Sequence, residues 1–353
     1  MDNLKAEAIE LLKKLIETPS LSREEDKTAD LIIDYLDKKK IGWIRSANNV
    51  WAKNRHFNPS LPSILLNSHH DTVKPNQGYT KDPFVADISD GKLYGLGSND
   101  AGGCLVSLLA AFVHFYPMQL PFNLLFAASA EEEISGKNGM ESLLPQLPPL
   151  ELAIVGEPTL LQMAVAEKGL VVIDATVKGK AGHAAREEGI NALYLALDDL
   201  LKIRDYRFSR VSPYLGNTKV SATIIQAGSQ HNVVPDTCTY TLDVRVTDAY
   251  TLQEIVDELD DALVAELTPR SMRLNPSHIA SDHRILQVAD QLGISKYGSP
   301  TLSDQALIPY PSVKIGPGDS ARSHTPDEFI YLEEINQGID LYTNLLATYM
   351  SRS

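Results

Sequence analysis

Phe122-Asn123-Leu124-Leu125-Phe126-Ala127-Ala128-Ser129-Ala130-Glu131-Glu132-Glu133 is a mostly apolar run that ends on three carboxylates. A strand with one wet face alternates apolar and polar residues, whereas a run without alternation suits a strand buried on both faces. Such strands build parallel sheets covered by helices, and ligands collect beyond their carboxyl ends. Three adjacent carboxylates placed there repel one another unless cations or protons compensate. One of them can hold a metal ion while its neighbour works as a base.

The same pattern recurs on either side. Ile64-Leu65-Leu66 runs into Asn67-Ser68-His69-His70-Asp71, Leu152 to Val155 runs into Gly156-Glu157, and Val313-Lys314-Ile315 is a fourth short run. Helical spacing separates them. Leu4, Ala8, Leu11, Leu12 and Leu15 predict a first helix closed by Pro19, and Ser22-Arg23-Glu24-Glu25 reads as a capping box opening a second toward Lys39. Further helices are expected over Cys104 to Phe115, Asn138 to Leu144, Arg284 to Leu292 and Leu332 to Met350. The fold class is therefore α/β, a mostly parallel sheet flanked by helices.

The middle of the chain follows another rule. Val171, Ile173, Ala175 and Val177 alternate with more polar neighbours, as do Tyr240, Leu242, Val244 and Val246, so these strands have one wet face and form an antiparallel sheet. With amphipathic helices at Asn191 to Ile203 and Thr251 to Leu267, they make an inserted two-layer α+β domain over 169–277. Residues 1–168 and 278–353 form the other domain.

Composition narrows the function classes. A chain of 353 residues suits two domains, and 43% apolar with 22% charged residues is ordinary for a globular protein. The net charge of −14 argues against nucleic acid or an anionic membrane as partner. The first residues lack a signal-peptide pattern, and no apolar run approaches the roughly 20 residues that span a bilayer. Cys104 and Cys238 make neither a disulfide framework nor a zinc ribbon. The expectation is a soluble cytoplasmic protein.

Five clusters now stand at the ends of apolar runs: His69-His70-Asp71, Asp100, Glu131-Glu132-Glu133, Glu157 and His324. Carboxylates and neutral imidazoles suit zinc, and the lack of cysteine disfavours a structural thiolate site. Successive strand side chains face opposite ways, so His69 and His70 cannot both reach one metal. His69 is taken as the ligand and Asp71, on the same face, as the residue that fixes its tautomer. Asp100 precedes Ala101-Gly102-Gly103 and a helix, which fits either an N-cap or a bridging carboxylate.

Ser68-His69-His70-Asp71-Thr72-Val73, Gly97-Ser98-Asn99-Asp100-Ala101-Gly102-Gly103, Ser129-Ala130-Glu131-Glu132-Glu133, Val155-Gly156-Glu157-Pro158 and Ser323-His324-Thr325-Pro326-Asp327-Glu328 fall in a familiar order. Over nearly the whole chain they resemble the co-catalytic zinc hydrolases that include acetylornithine deacetylase, succinyl-diaminopimelate desuccinylase, aminoacylase and glutamate carboxypeptidase. The resemblance implies two Zn2+ ions, with Co2+ as a substitute, bridged by Asp100. His69 and Glu157 would complete one shell, Glu133 and His324 the other. Glu132 would be the general acid/base and Asp71 the residue behind His69. Ser68, Glu131 and Ala101 stand where the family more often has Gly, Asp and Met, and none of these is a ligand position.

The insertion carries three more candidates. His183 in Gly179-Lys180-Ala181-Gly182-His183-Ala184 reads by itself as an exposed loop histidine, Asn232 as a turn residue, and Arg245 as half of an ion pair with Asp243. The resemblance implies instead that His183 donates to the oxyanion, often across a homodimer interface formed by the insertion, which would then act as a lid and dimerisation domain. It also implies that Asn232 and Arg245 contact substrate polar groups. The implied activity is removal of an acetyl or succinyl group from an N-acyl amino acid, in arginine or lysine biosynthesis. A dipeptidase or carboxypeptidase on the same scaffold is the alternative. A non-catalytic metal-binding protein is a third reading, disfavoured by the presence of both Glu132 and His183.

Overall fold

A computed structural model describes residues 1–186 and 188–351. The chain divides into two compact units, one of 1–165, 278–297 and 303–353, the other of 166–277 and 298–302.

In the first unit the strands run in the order Trp43–Ser46, Asn49–Lys53, Asn123–Ser129, Ser63–His69, Leu152–Val155, Ser312–Lys314 and Met163–Glu167. The central four are parallel, and antiparallel strands flank them. Every residue of Ser63–His69 and Asn123–Ser129 is buried, which is why neither alternates in sequence. Ile64, Leu66, Leu124 and Phe126 pack into a core with the helices Asp2–Ile16, Asp26–Lys38, Gly103–Phe115, Arg284–Gln291 and Leu332–Met350. Leu65, Leu125 and Ala127 point the other way, onto Trp51, Met140 and Leu143. The predicted mainly parallel sheet with flanking helices is what forms.

Two local expectations fail. The helix after Ser22 begins at Asp26 with Glu25 as its N-cap residue and no side-chain cap. The Ser22 hydroxyl instead donates to Asp71 Oδ2 at 2.7 Å. The helix expected over Thr251 to Leu267 has its capping box, Thr251 with Glu254, but covers only Leu252–Ala262. Leu263 is extended, and Glu266–Pro269 pairs with Ile173 to Thr176 as a strand. Buried Leu263 and Ala265 and half-buried Leu267 continue the apolar pattern in strand form, so periodicity ran past the true boundary.

The second unit is an antiparallel sheet ordered Lys219–Ala227, Thr237–Val246, Gly169–Lys178 and Glu266–Pro269. Its alternating residues Val171, Ile173, Tyr240 and Leu242 share one core with the helices Ala192–Asp205 and Leu252–Ala262. The buried Asp199 carboxylate ties this layer together, accepting from the Tyr240 hydroxyl and the amides of Val264 and Ala265. Both cysteines are buried and unpaired. Among the described residues no helix is long and apolar enough to cross a membrane.

Candidate metal centre

Parallel neighbours end on the same side, so strand pairing alone gathers much of this site. His69 closes its strand opposite Ser129, Glu131–Glu133 follow directly, and Glu157 comes two residues after Val155 on the other flank. Asp100 arrives from the turn before Gly103–Phe115. That helix has Gly102 as its N-cap residue and no side-chain cap, so Asp100 is not serving as one. Its Oδ1 lies 3.3 Å from His69 Nε2 and its Oδ2 3.7 Å from His324 Nε2, placing one carboxylate between two imidazoles.

On the His69 side, Nε2 is 3.8 Å from Glu157 Oε1 and 3.9 Å from Glu132 Oε2. On the other side, His324 Nε2 is 2.9 Å from Glu133 Oε2. Ligand-capable atoms of His69, Glu132 and Glu157 lie within 4.8 Å of one another, as do those of His69, Asp100 and Glu133. His69, Asp100, Glu133, Glu157 and His324 are thus brought together with Glu132. Glu132 stands as near to His69 as Glu157 does, so proximity alone does not separate base from ligand.

His69 Nδ1 lies 3.0 Å from the backbone carbonyl of Asp71 and 3.5 Å from its carboxylate. A carbonyl only accepts, so Nδ1 carries a proton; burial opposes charge on the ring, but Asp100, Asp71, Glu132 and Glu157 outweigh it and raise its pKa well above the usual value, so Nε2 also carries a proton that a bound cation would replace. The Asp71 carboxylate also accepts the amides of Glu132 (3.0 Å) and Glu133 (3.2 Å) and the Ser22 hydroxyl. His70 turns away, with Nε2 at 3.0 Å from the Asn48 carbonyl and Nδ1 at 2.9 Å from Thr28 Oγ1. Burial, only partly opposed by Asp71 and the Asn48 carbonyl, pushes its pKa down to about 4.

The electrostatics describe a site short of positive charge. Burial and the neighbouring Asp100 and Glu133 push Glu157 up to about 8, against the pull of His69 and Lys314. Burial likewise raises Glu132 well above the carboxylate range, with Glu157, Asp304 and Glu133 adding to it. Burial also opposes charge on Asp100, but hydrogen bonding and attraction to His69 outweigh it and hold Asp100 low. The hydrogen bond to Glu133 lifts His324 to about 9. Four carboxylates crowded around two imidazoles, with no cysteine in the converging groups, fit hard or borderline divalent cations with nitrogen and oxygen donors.

Three buried carboxylates to which the sequence reading gave no part in the site support it. Glu328 accepts the amides of Gly97, Asn99 and Asp100. Asp304 Oδ2 accepts from Asn67 Nδ2 at 2.8 Å and Ser129 Oγ at 2.6 Å, joining the ends of the two central strands. Glu25 accepts the amide of Glu131, whose own carboxylate is held by the Asn138 side chain. These partners lie 106 to 237 positions away, and no local pattern announces the pairings.

In the second unit, Gly182–His183 pairs with Val233–Val234, and the Asn232 carbonyl accepts the Ala184 amide at 3.0 Å. His183 and Asn232 are both exposed on this ribbon. His183 Nδ1 accepts the Ala185 amide at 3.0 Å, so a neutral ring carries its proton on Nε2, free to donate. Arg245 forms a two-pronged ion pair with Asp243, at 2.9 and 3.1 Å.

Residues 65–348 match the model of peptidase family M20/M25/M40. Among solved structures, an aminopeptidase from Bacillus cereus is 18% identical, with 98% of each chain covered and a TM-score of 0.78. A tripeptidase from Staphylococcus aureus is 21% identical, with 99% of each chain covered and a TM-score of 0.77. A dinuclear metal-binding M20 peptidase from Bacillus subtilis is 18% identical, again with 99% of each covered and a TM-score of 0.77. At these identities the structural likeness speaks for the fold.

Proposed function

The chain belongs to peptidase family M20/M25/M40, and on that premise we propose that it is a di-zinc hydrolase removing the acetyl or succinyl group from an N-acyl amino acid. The observation that carries this reading is the Asp100 carboxylate set between His69 and His324, with Glu133 and Glu157 on either side. In this reading His69, Asp100 and Glu157 would hold one ion, and Asp100, Glu133 and His324 would hold the other. Metal ions held there would supply a Lewis acid for the scissile carbonyl and lower the pKa of a bound water.

The chain's own groups do the rest. Glu132 takes the proton from the attacking water and returns it to the departing amine, as general base and then acid. Asp71 holds the Glu132 and Glu133 amides while its carbonyl fixes the His69 tautomer. His183 donates from Nε2 to the oxyanion. Asn232 and the remaining Nη1 of Arg245 contact substrate polar groups. Acylated ornithine, citrulline, lysine and diaminopimelate are the leading substrates, in a cytoplasmic biosynthetic setting.

A second copy is the proposed partner. Lys219–Ala227 is an edge strand whose Ile224 and Ile225 are exposed, and Ala192–Asp205 exposes Tyr194, Leu197 and Leu201. An open apolar edge of this kind is a ready surface for pairing. Gel filtration tests this; a monomer with full activity contradicts it.

A peptidase is the second reading, favoured by the aminopeptidase and tripeptidase that share the fold. One panel separates the two: N-acetyl and N-succinyl amino acids beside di- and tripeptides, with zinc- or cobalt-loaded protein. Turnover confined to the acyl amino acids supports the deacylase, and turnover confined to peptides overturns it.

A further inference from the structure

We infer that Glu328 is the positioning residue for Asp100, setting where that carboxylate stands between the two imidazoles. The inference rests on the metal-dependent reading above. Glu328 is 2% exposed, and nothing in the proposed chemistry uses it. Its Oε1 accepts the Asn99 amide at 2.8 Å and the Asp100 amide at 2.9 Å, while Oε2 accepts the Gly97 amide at 3.0 Å. One side chain therefore holds three of the four amides from Gly97 to Asp100, which lie outside any strand ladder and before the regular helix. A buried amide without an acceptor costs about 1–3 kcal/mol, so few other paths are open to this turn once Glu328 is in place.

Glu328 also links two parts of the site. It lies four residues after His324, on the same loop. That loop is stitched to the Asp100 turn a second time through Asn99, whose Nδ2 donates to the Asp319 carbonyl at 3.0 Å and whose Oδ1 accepts the Asp319 amide at 3.0 Å. The turn has no slack on its other side, because a Cβ at Gly97, where φ is +76°, would stand 2.6 Å from Thr72 Cγ2. Fixing the amide of Asp100 fixes its Cα, and the carboxylate then meets both His69 and His324. A shift of the turn would change the distance to both at once.

The test is metal binding, with Co2+ titrated into metal-free wild type and Glu328→Gln, followed by calorimetry and the cobalt absorption spectrum. Gln keeps one acceptor oxygen but turns an NH2 toward an amide donor. The expected result is a variant that folds, binds at least one of the two ions about 10–100-fold more weakly and shows an altered spectrum. At saturating metal, kcat falls while KM stays within about twofold. Wild-type cobalt affinity and spectrum in a folded Glu328→Gln, with loss only in the melting temperature, would make Glu328 a structural residue and overturn the inference. Should Glu328→Gln fail to fold, Glu328→Asp, one methylene too short to reach all three amides, is read by the same criteria. Wild type binding no cobalt would instead sink the metal-dependent reading itself.

Discussion

The Asp71 carboxylate accepts the backbone amide of Glu132 at 3.0 Å, so the residue behind the proposed ligand His69 also holds the proposed base. Asp71→Asn keeps the shape but turns an NH2 toward amide donors at Glu132 or Glu133. It should lower kcat about 10–100-fold and weaken metal binding together. Ser22→Ala removes a single hydrogen bond to the same carboxylate, worth roughly 1.5–3 kcal/mol at most, and leaves both amide bonds in place. Steady-state kinetics and metal content should therefore rank Ser22→Ala well above Asp71→Asn; equal losses would mean the amide bonds contribute nothing.

His70 should make folding pH-dependent. In the unfolded chain it gains a proton near its usual pKa of about 6.5, while in the folded protein it resists until about 4. Between those values the unfolded state binds more protons, so this contribution to stability is intact above the window and is lost as pH falls through it. The loss amounts to roughly 3 kcal/mol. His70→Gln lowers overall stability but removes this slope. Urea denaturation of both metal-free proteins between about pH 7 and pH 4.5 checks it, and parallel curves would refute the assignment.

His183→Ala should keep its metals and lose on the order of 10²–10³ in kcat, the scale of one oxyanion donor. If the imidazole acts across a homodimer, mixing His183→Ala with Glu132→Ala rebuilds one intact site per mixed dimer. Activity should then return to about a quarter of wild type after subunit exchange. No recovery in a confirmed mixed dimer would place His183 in the same chain's site, and metal loss from His183→Ala would make it structural.

The sheet and the rim were legible because burial on both faces removes alternation, as in Ile64 to Leu66 and Leu124 to Ala128, and parallel pairing then aligns the polar ends. Which carboxylates work together was less legible. Ser22 carries a capping signature, yet Asp71, 49 residues away, takes its hydroxyl. Glu328 and Asp304 act on partners some 175 to 237 positions distant, and only the fold brings such pairs together. Asp100 was open between cap and bridge; the helix has no side-chain cap, and the place of Asp100 between His69 and His324 is visible only in the fold.

In the proposed reaction Glu132 moves the proton in a metal-dependent hydrolysis of N-acyl amino acids. The most direct test of this is the turnover of zinc-loaded wild type and Glu132→Gln on acetylated and succinylated ornithine and citrulline, with metal content measured in the same samples. The variant should hold both ions and lose on the order of 10²–10⁴ in kcat. Near-wild-type turnover by a fully loaded Glu132→Gln would contradict it.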